Sequence, residues 1–109
     1  QRSWASRNRF WRTPGLEYLP AIELLEATHA FPGPYTFKVI GHVADGFVGR
    51  VVAAVREELN CQADPPYHLR STTSGAQVSV TLEPHIAAAS QVIDVYRRIR
   101  GLPGLIMIW

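Results

Sequence analysis

Between Gly41 and Arg50 the sequence runs Gly-His-Val-Ala-Asp-Gly-Phe-Val-Gly-Arg, a stretch whose residue types and spacing fit a ligand-binding junction. Gly41 and Gly46 let another group come close to the backbone. Asp45 supplies an anion that would hold an amino group and repel a phosphate, and a helix starting near Phe47 would turn free backbone amides toward a ligand. Two readings are open. In one, Asp45 is the N-cap of that helix and Gly46 eases a tight turn; in the other, Gly41, His42, Asp45, Gly46 and Phe47 form a small-molecule site.

The remaining reactive side chains do not assemble into a catalytic pattern. His29, His42, His68 and His85 share no ligand spacing such as i, i+4 on one helix, and the lone Cys61 adds no soft partner, so no metal site is predicted. Cys61 stands between Asn60 and Gln62 with no base nearby in sequence to activate its thiol. No serine lies in a nucleophile-elbow sequence. No catalytic residue is assigned, a non-enzyme is expected, and no cofactor is implied.

The chain that must position the junction has 109 residues, 47% apolar and 18% charged, with a formal net charge of +2, which describes one ordinary globular domain. Its uncharged stretches fall short of the roughly 20 apolar residues of a membrane span, and no secretory leader pattern opens it. A single cysteine cannot form an internal disulfide, which fits a reducing compartment and a cytoplasmic location. Arg2, Arg7, Arg9 and Arg12 carry +4 within the first twelve residues, leaving the rest at −2. Trp4, Phe10 and Trp11 interleave them, a pattern that can stack on bases while guanidiniums hold phosphate. Ten arginines to one lysine fit coding bias as well as recognition, and chain ends are ordered only when docked. Residues 1–15 are therefore read as a flexible extension, outside or upstream of the domain proper, and nucleic acid is not an expected partner.

Residues 16–30 are predicted as a short amphipathic helix, because Leu16, Leu19, Ile22 and Leu25 recur at three-residue spacing among Glu17, Glu23 and Glu26. Phe31-Pro32-Gly33-Pro34 breaks it, and the main domain occupies 31–109. Tyr35, Phe37, Val39 and Val43 alternate with Thr36, Lys38, Ile40 and His42, a half-buried first strand. Phe47, Val48, Val51, Val52, Val55 and Leu59 form a helical stripe. Tyr67 to Thr72 and Val78 to Glu83 alternate around a Ser74-Gly75 turn, which predicts a hairpin of strands two and three. Ile86, Ala89, Ile93 and Tyr96 mark a second helix ending in Arg97, Arg98 and Arg100, and residues 105–109 form a last apolar strand.

With right-handed crossovers this order gives an α+β, ferredoxin-like βαββαβ two-layer sandwich: a four-stranded antiparallel sheet with both helices on one face. The predicted core is Phe37, Val39, Val43, Val51, Val55, Leu69, Val78, Val80, Leu82, Ile93, Tyr96, Leu105 and Met107.

Several runs carry a family resemblance. Phe31-Pro-Gly-Pro-Tyr-Thr-Phe-Lys-Val-Ile-Gly41, the Val78-Ser-Val-Thr strand, His85-Ile86, and Val92-Ile-Asp-Val-Tyr96 followed by a Pro-Gly-apolar final strand resemble the bacterial YbeD-like family over residues 20–109. The resemblance implies a small cytoplasmic ferredoxin-like protein, similar in fold to the ACT domains that regulate amino-acid metabolism, and brings no catalytic residues. ACT domains place a glycine where strand one enters helix one, which Gly41 and the Asp45-Gly46-Phe47-Val48 run loosely match. The segment also imitates acylphosphatase, with Arg50 as the phosphate-holding arginine, although the spacing runs one residue long and strand two offers no asparagine.

On the face of the sheet away from the helices, the two central strands would show Thr36, Lys38, Ile40, His42, Ser79, Thr81 and Glu83, with no stacking platform for RNA. Ile40, Ile106 and Ile108 would form an apolar strip where strand four, an edge strand, lies beside strand one, and such an edge invites pairing with another chain or cover by the N-terminal residues. The expected function is a regulatory or adaptor module that binds a protein partner or a second copy; the alternative is a sensor of a small metabolite such as an amino acid.

Overall fold

The computed structural model describes residues 22–109, so the 1–15 extension and the opening of the predicted 16–30 helix lie outside the described residues. In chain order the elements are α1 (Ile22–Thr28), β1 (Gly33–Pro34), β2 (Phe37–His42), α2 (Phe47–Glu58), β3 (Tyr67–Ser71), β4 (Gln77–Leu82), β5 (His85–Ile86), α3 (Ala89–Arg100) and β6 (Leu105–Ile108). The four-stranded sheet has the order β3-β4-β2-β6 with every neighbouring pair antiparallel, and α2 and α3 pack on one face of it. This is the expected ferredoxin-like arrangement.

Period two in β2 and β4 decides the core. Phe37 and Val39 of β2, and Val80 and Leu82 of β4, are fully buried against Val51 and Val55 of α2 and Val92 and Ile99 of α3, each such side chain worth roughly 1.5–3 kcal/mol in burial. Leu25 of α1 joins the same cluster. An aromatic chain runs inward from the end of α1: His29 lies 4.8 Å from Tyr35, Tyr35 4.9 Å from Phe37, and Phe37 meets Tyr96 edge-on at 5.2 Å.

Four local expectations are corrected. Ile86 is not helical: Gly33 pairs with Ile86 and Pro34 with His85 in a two-stranded ladder, and α3 starts only at Ala89. The Pro-rich break after α1 therefore has a partner of its own, and it contains a cis Phe31-Pro32 peptide. Val43 is 52% exposed, because β2 ends at His42 and the chain bends away before another inward position is reached. Leu69 is 49% exposed although it pairs with the buried Val80. The helix layer covers β4 and stops short of β3.

The fourth correction concerns the last strand. A bulge falls between Ile40 and Gly41, so that Val39 pairs with Ile108, Ile40 with Met107, and Gly41 with Leu105, leaving Ile106 as the extra residue. An extra residue shifts the alternation by one. Leu105 and Ile108 consequently both pack against the core, while Met107, predicted inside, is 52% exposed beside Ile40.

Candidate functional site

The junction between β2 and α2 is built around one aromatic ring. Gly41 is buried in β2, and a Cβ placed there would fall 2.2 Å from Cζ of Phe47. The ring of Phe47, itself 2% exposed, thus occupies the space above the Gly41 backbone. On another side it meets Gly104, whose φ of +89° and whose Cβ position 3.5 Å from Phe47 Cδ1 keep the α3–β6 turn close. A glycine inside a strand marks a close approach; here the group that approaches belongs to the protein.

The capping expectation for Asp45 is not met. Asp45 has φ 54° and Gly46 φ 70°, so two successive residues lie in the left-handed region, and the N-cap position of α2 is Gly46 with no side-chain cap hydrogen bond. In that conformation the carboxylate does not close back on the α2 amides, and Asp45 remains exposed. His42 is exposed at the end of β2, on the face opposite the buried Gly41 and Phe47. Of the five junction residues, the structure brings Gly41 and Phe47 together, places Asp45 and Gly46 on an exposed shoulder beside them, and turns His42 away. Arg50 Nη2 donates to the carbonyl of Pro103 at 3.3 Å, which ties α2 to the α3–β6 turn, while Nη1 of the same guanidinium stays 4.0 Å from the Cβ position of Gly46 on the shoulder.

The β6 edge is a second candidate. Ile106, Met107 and Trp109 are 43%, 52% and 49% exposed. Residues 105–109 form one wall of an open groove of about 340 Å³, and Tyr96 and Arg100 of α3 form the other. Trp109 and Lys38 exchange backbone hydrogen bonds at 2.8 and 2.9 Å, which carries the ladder past the end of β6. The predicted strip of Ile40, Ile106 and Ile108 is therefore corrected to Ile40 with Met107, flanked by Ile106 in the bulge, since Ile108 points into the core. Nothing in the sequence separates Met107 from Ile108; the bulge at Ile106 decides between them.

Charge is sorted between the two layers. Glu57 and Glu58 pair with Arg98, Asp64 pairs with Arg56 at 2.5 Å, and Asp94 with Arg97 at 3.9 Å, all on or beside the helices. The uncovered face of the sheet carries Lys38, His42, His68 and Arg70, with Glu83 at its rim accepting a hydrogen bond from Thr36. Among the described residues no group of three or more His, Cys, Asp or Glu is placed to hold a metal ion, and no helix is long and apolar enough to cross a membrane.

Comparison with known proteins adds three likenesses. The profile of DUF493, described as a protein of unknown function, matches residues 26–109. The UPF0250 proteins of Shewanella sp. strains ANA-3 and MR-4 are each 28% identical over 83 residues, spanning 76% of this chain and 88% of theirs. Among solved structures, the ACT domain from the GTP pyrophosphokinase of Chlorobium tepidum superposes with a TM-score of 0.53 at 8% identity, over 70% of this chain and 94% of that one. The last likeness is one of fold, and it agrees with the ACT-like expectation drawn from the sequence.

Proposed function

The chain belongs to DUF493, a family of proteins of unknown function, and from that premise we propose that it is a small cytoplasmic adaptor or regulatory module that acts by binding another protein rather than by catalysis. The observation that carries the reading is the β6 edge, where Ile106, Met107 and Trp109 stand 43–52% exposed beside an open groove. Scattered single apolar side chains on a surface need no explanation, whereas a contiguous set on one strand marks an interaction site.

The test is site-specific photo-crosslinking in the native host, with the photoreactive side chain at Met107 and, as a control, at Asp94 on the helix layer. The expected result is a discrete adduct with another polypeptide from position 107 alone, lost when Ile106→Lys is added. Equal adducts from both positions, or none from position 107, would remove the assignment.

A second reading, a metabolite-sensing module, is favoured by the Asp45-Gly46 shoulder. A non-glycine residue held at φ 54° and followed by another left-handed residue is the kind of outlier that accompanies ligand-binding turns. Because the Phe47 ring fills the space over Gly41, a small amine or amino acid would sit on the shoulder, against the Asp45 carboxylate. A thermal-shift screen with amino acids at millimolar concentration tests it: a ligand at about 100 times its dissociation constant adds roughly 2.7 kcal/mol. A shift that survives Asp45→Asn would discard the site.

A further inference from the structure

The opposite edge of the sheet has properties that β6 lacks. β3 is an edge strand in unbroken register with β4, pairing Tyr67 with Leu82, His68 with Thr81, Leu69 with Val80, Arg70 with Ser79 and Ser71 with Val78. Just beyond its ends, Glu83 donates its N–H to the carbonyl of Pro66 at 2.9 Å and Thr72 donates to the carbonyl of Gln77 at 3.0 Å. In an antiparallel ladder, residues that exchange hydrogen bonds alternate with residues that do not. The two flanking bonds fix the parity: 66, 68, 70 and 72 turn their backbone groups to β4, and Tyr67, Leu69 and Ser71 turn theirs outward.

The side chains divide in the same alternation. Partners across an antiparallel ladder share a face, and Leu82 and Val80 are fully buried. Tyr67 and Leu69 therefore lie on the helix side, yet they are 43% and 49% exposed, and among the described residues the helices pack over β4 and not over β3. His68 and Arg70 lie on the uncovered side, exposed, and Lys38 stands two strands away in the row of His68 and Thr81. No residue of β3 is acidic.

We propose that the β3 edge accepts an extended segment of a partner protein in which apolar and acidic residues alternate. Its backbone completes the outward donors and acceptors of Tyr67, Leu69 and Ser71, its apolar side chains cover the Tyr67–Leu69 ledge, and its carboxylates face His68 and Arg70. This is strand addition, in which the main chain supplies adhesion and alternate side chains supply choice. Charge selects this occupant over a second copy. Two β3 strands related by a two-fold axis at Leu69 would bring the two Arg70 side chains onto one face as diagonal neighbours, with no acid on either strand. Arg70 thus discourages the edge from pairing with itself, a common device on exposed edges. Shape also selects it over RNA, since the outward positions of the central strands include no Phe, Tyr or Trp on which a base could stack.

The experiment uses the full chain and fluorescein-labelled short peptides in which valine or phenylalanine alternates with glutamate, glutamine or lysine. Anisotropy titration at low salt should favour the glutamate peptide by about threefold over the glutamine peptide and by more over the lysine peptide, the scale of one cross-strand charge pair at Arg70. Arg70→Glu should invert the preference toward the lysine peptide. Leu69→Pro should abolish binding of all three, because it deletes an outward amide that β4 does not use. Should that variant fail to fold, hydrogen exchange on the wild-type chain gives the same information, with slowed exchange at Tyr67, Leu69 and Ser71 on saturation with the glutamate peptide.

Equal affinity for the three peptides, an unchanged preference in Arg70→Glu, or protection confined to β6 would each overturn the proposal. So would a dimer in sedimentation velocity that protects the β3 amides without peptide, or an oligouridine RNA that protects them and displaces the peptide. Since Ile106→Lys alters only the β6 edge, its loss of cross-linking leaves the peptide result untouched. The two interaction sites therefore stand or fall separately.

Discussion

At β6 the sheet ends on four residues interrupted by a bulge at Ile106, whereas at β3 it ends on five residues in unbroken register. The bulge turns consecutive side chains to new directions and spoils the row of backbone groups that a further strand would need. What β6 presents is therefore side-chain surface, with Ile106, Met107 and Trp109 beside a groove. What β3 presents is main chain, with Tyr67 and Leu69 on one side and His68 and Arg70 on the other. Both edges expose apolar side chains to a similar degree, so exposure alone does not distinguish a groove from a pairing template. Backbone regularity does.

The difference originates away from both edges, in the ring of Phe47. It lies against Gly41 in β2 and Gly104 in the turn that launches β6, and so fixes where β6 begins relative to its neighbour. Phe47→Ala should have the largest effect, about 3–5 kcal/mol in denaturant unfolding. The loosening should appear first at β6: native-state hydrogen exchange should accelerate over 104–108 well before 67–71. Equal acceleration at both edges would mean that the ring holds the whole domain and does not seat β6 in particular.

Gly41→Ala approaches the same contact from the other side. With 2.2 Å between the new Cβ and the ring, the ring or β2 must move, a cost of about 1–3 kcal/mol for overpacking. Combining it with Phe47→Leu should recover part of the loss, and a double-mutant cycle that shows simple additivity would contradict direct contact. Ile108→Lys belongs to the same range, about 1–3 kcal/mol, because the bulge has turned Ile108 into the core. Had β6 kept strict alternation, the penalty would fall on Met107→Lys instead.

These contrasts also mark how far the residues alone could be read. The alternation of Phe37 and Val39, and of Val78, Val80 and Leu82, together with the helical stripes of Val51, Val55, Val92 and Ile99, carries the fold, because burial against a second layer enforces period two and period 3.6. Three things escape such periodicity. A one-residue bulge is invisible in an all-apolar run such as residues 105–109, where every register looks equally buried. The reach of the helix layer is a matter of three dimensions, so Leu69 reads as core although it is 49% exposed and no helix among the described residues covers it. The Asp45-Gly46 pair reads as a capping signal because Asp is a strong N-cap residue, and only the backbone, with Gly46 at the N-cap position and Asp45 one residue outside it at φ 54°, shows that the cap is not made. The candidate site was legible in part for the same reason. Gly41 and Phe47 do belong together, but the glycine makes room for the phenylalanine.

The smallest effects on stability are expected at the two exposed edges, where the comparison is sharpest. Leu69→Lys and Met107→Lys replace side chains that are 49% and 52% exposed, and each should change unfolding free energy by no more than about 0.5 kcal/mol. Their effects on binding should separate completely. Met107→Lys puts a charge at the groove and should remove the β6 adduct while leaving the glutamate peptide bound. Leu69→Lys removes half of the apolar ledge yet retains the outward amide and adds a cation to a strand that favours carboxylates, so its glutamate-peptide affinity should fall less than that of Leu69→Pro. If the lysine and proline variants lose the peptide equally, the ledge rather than the backbone holds the partner, and β3 would then be a side-chain surface of the same kind as β6.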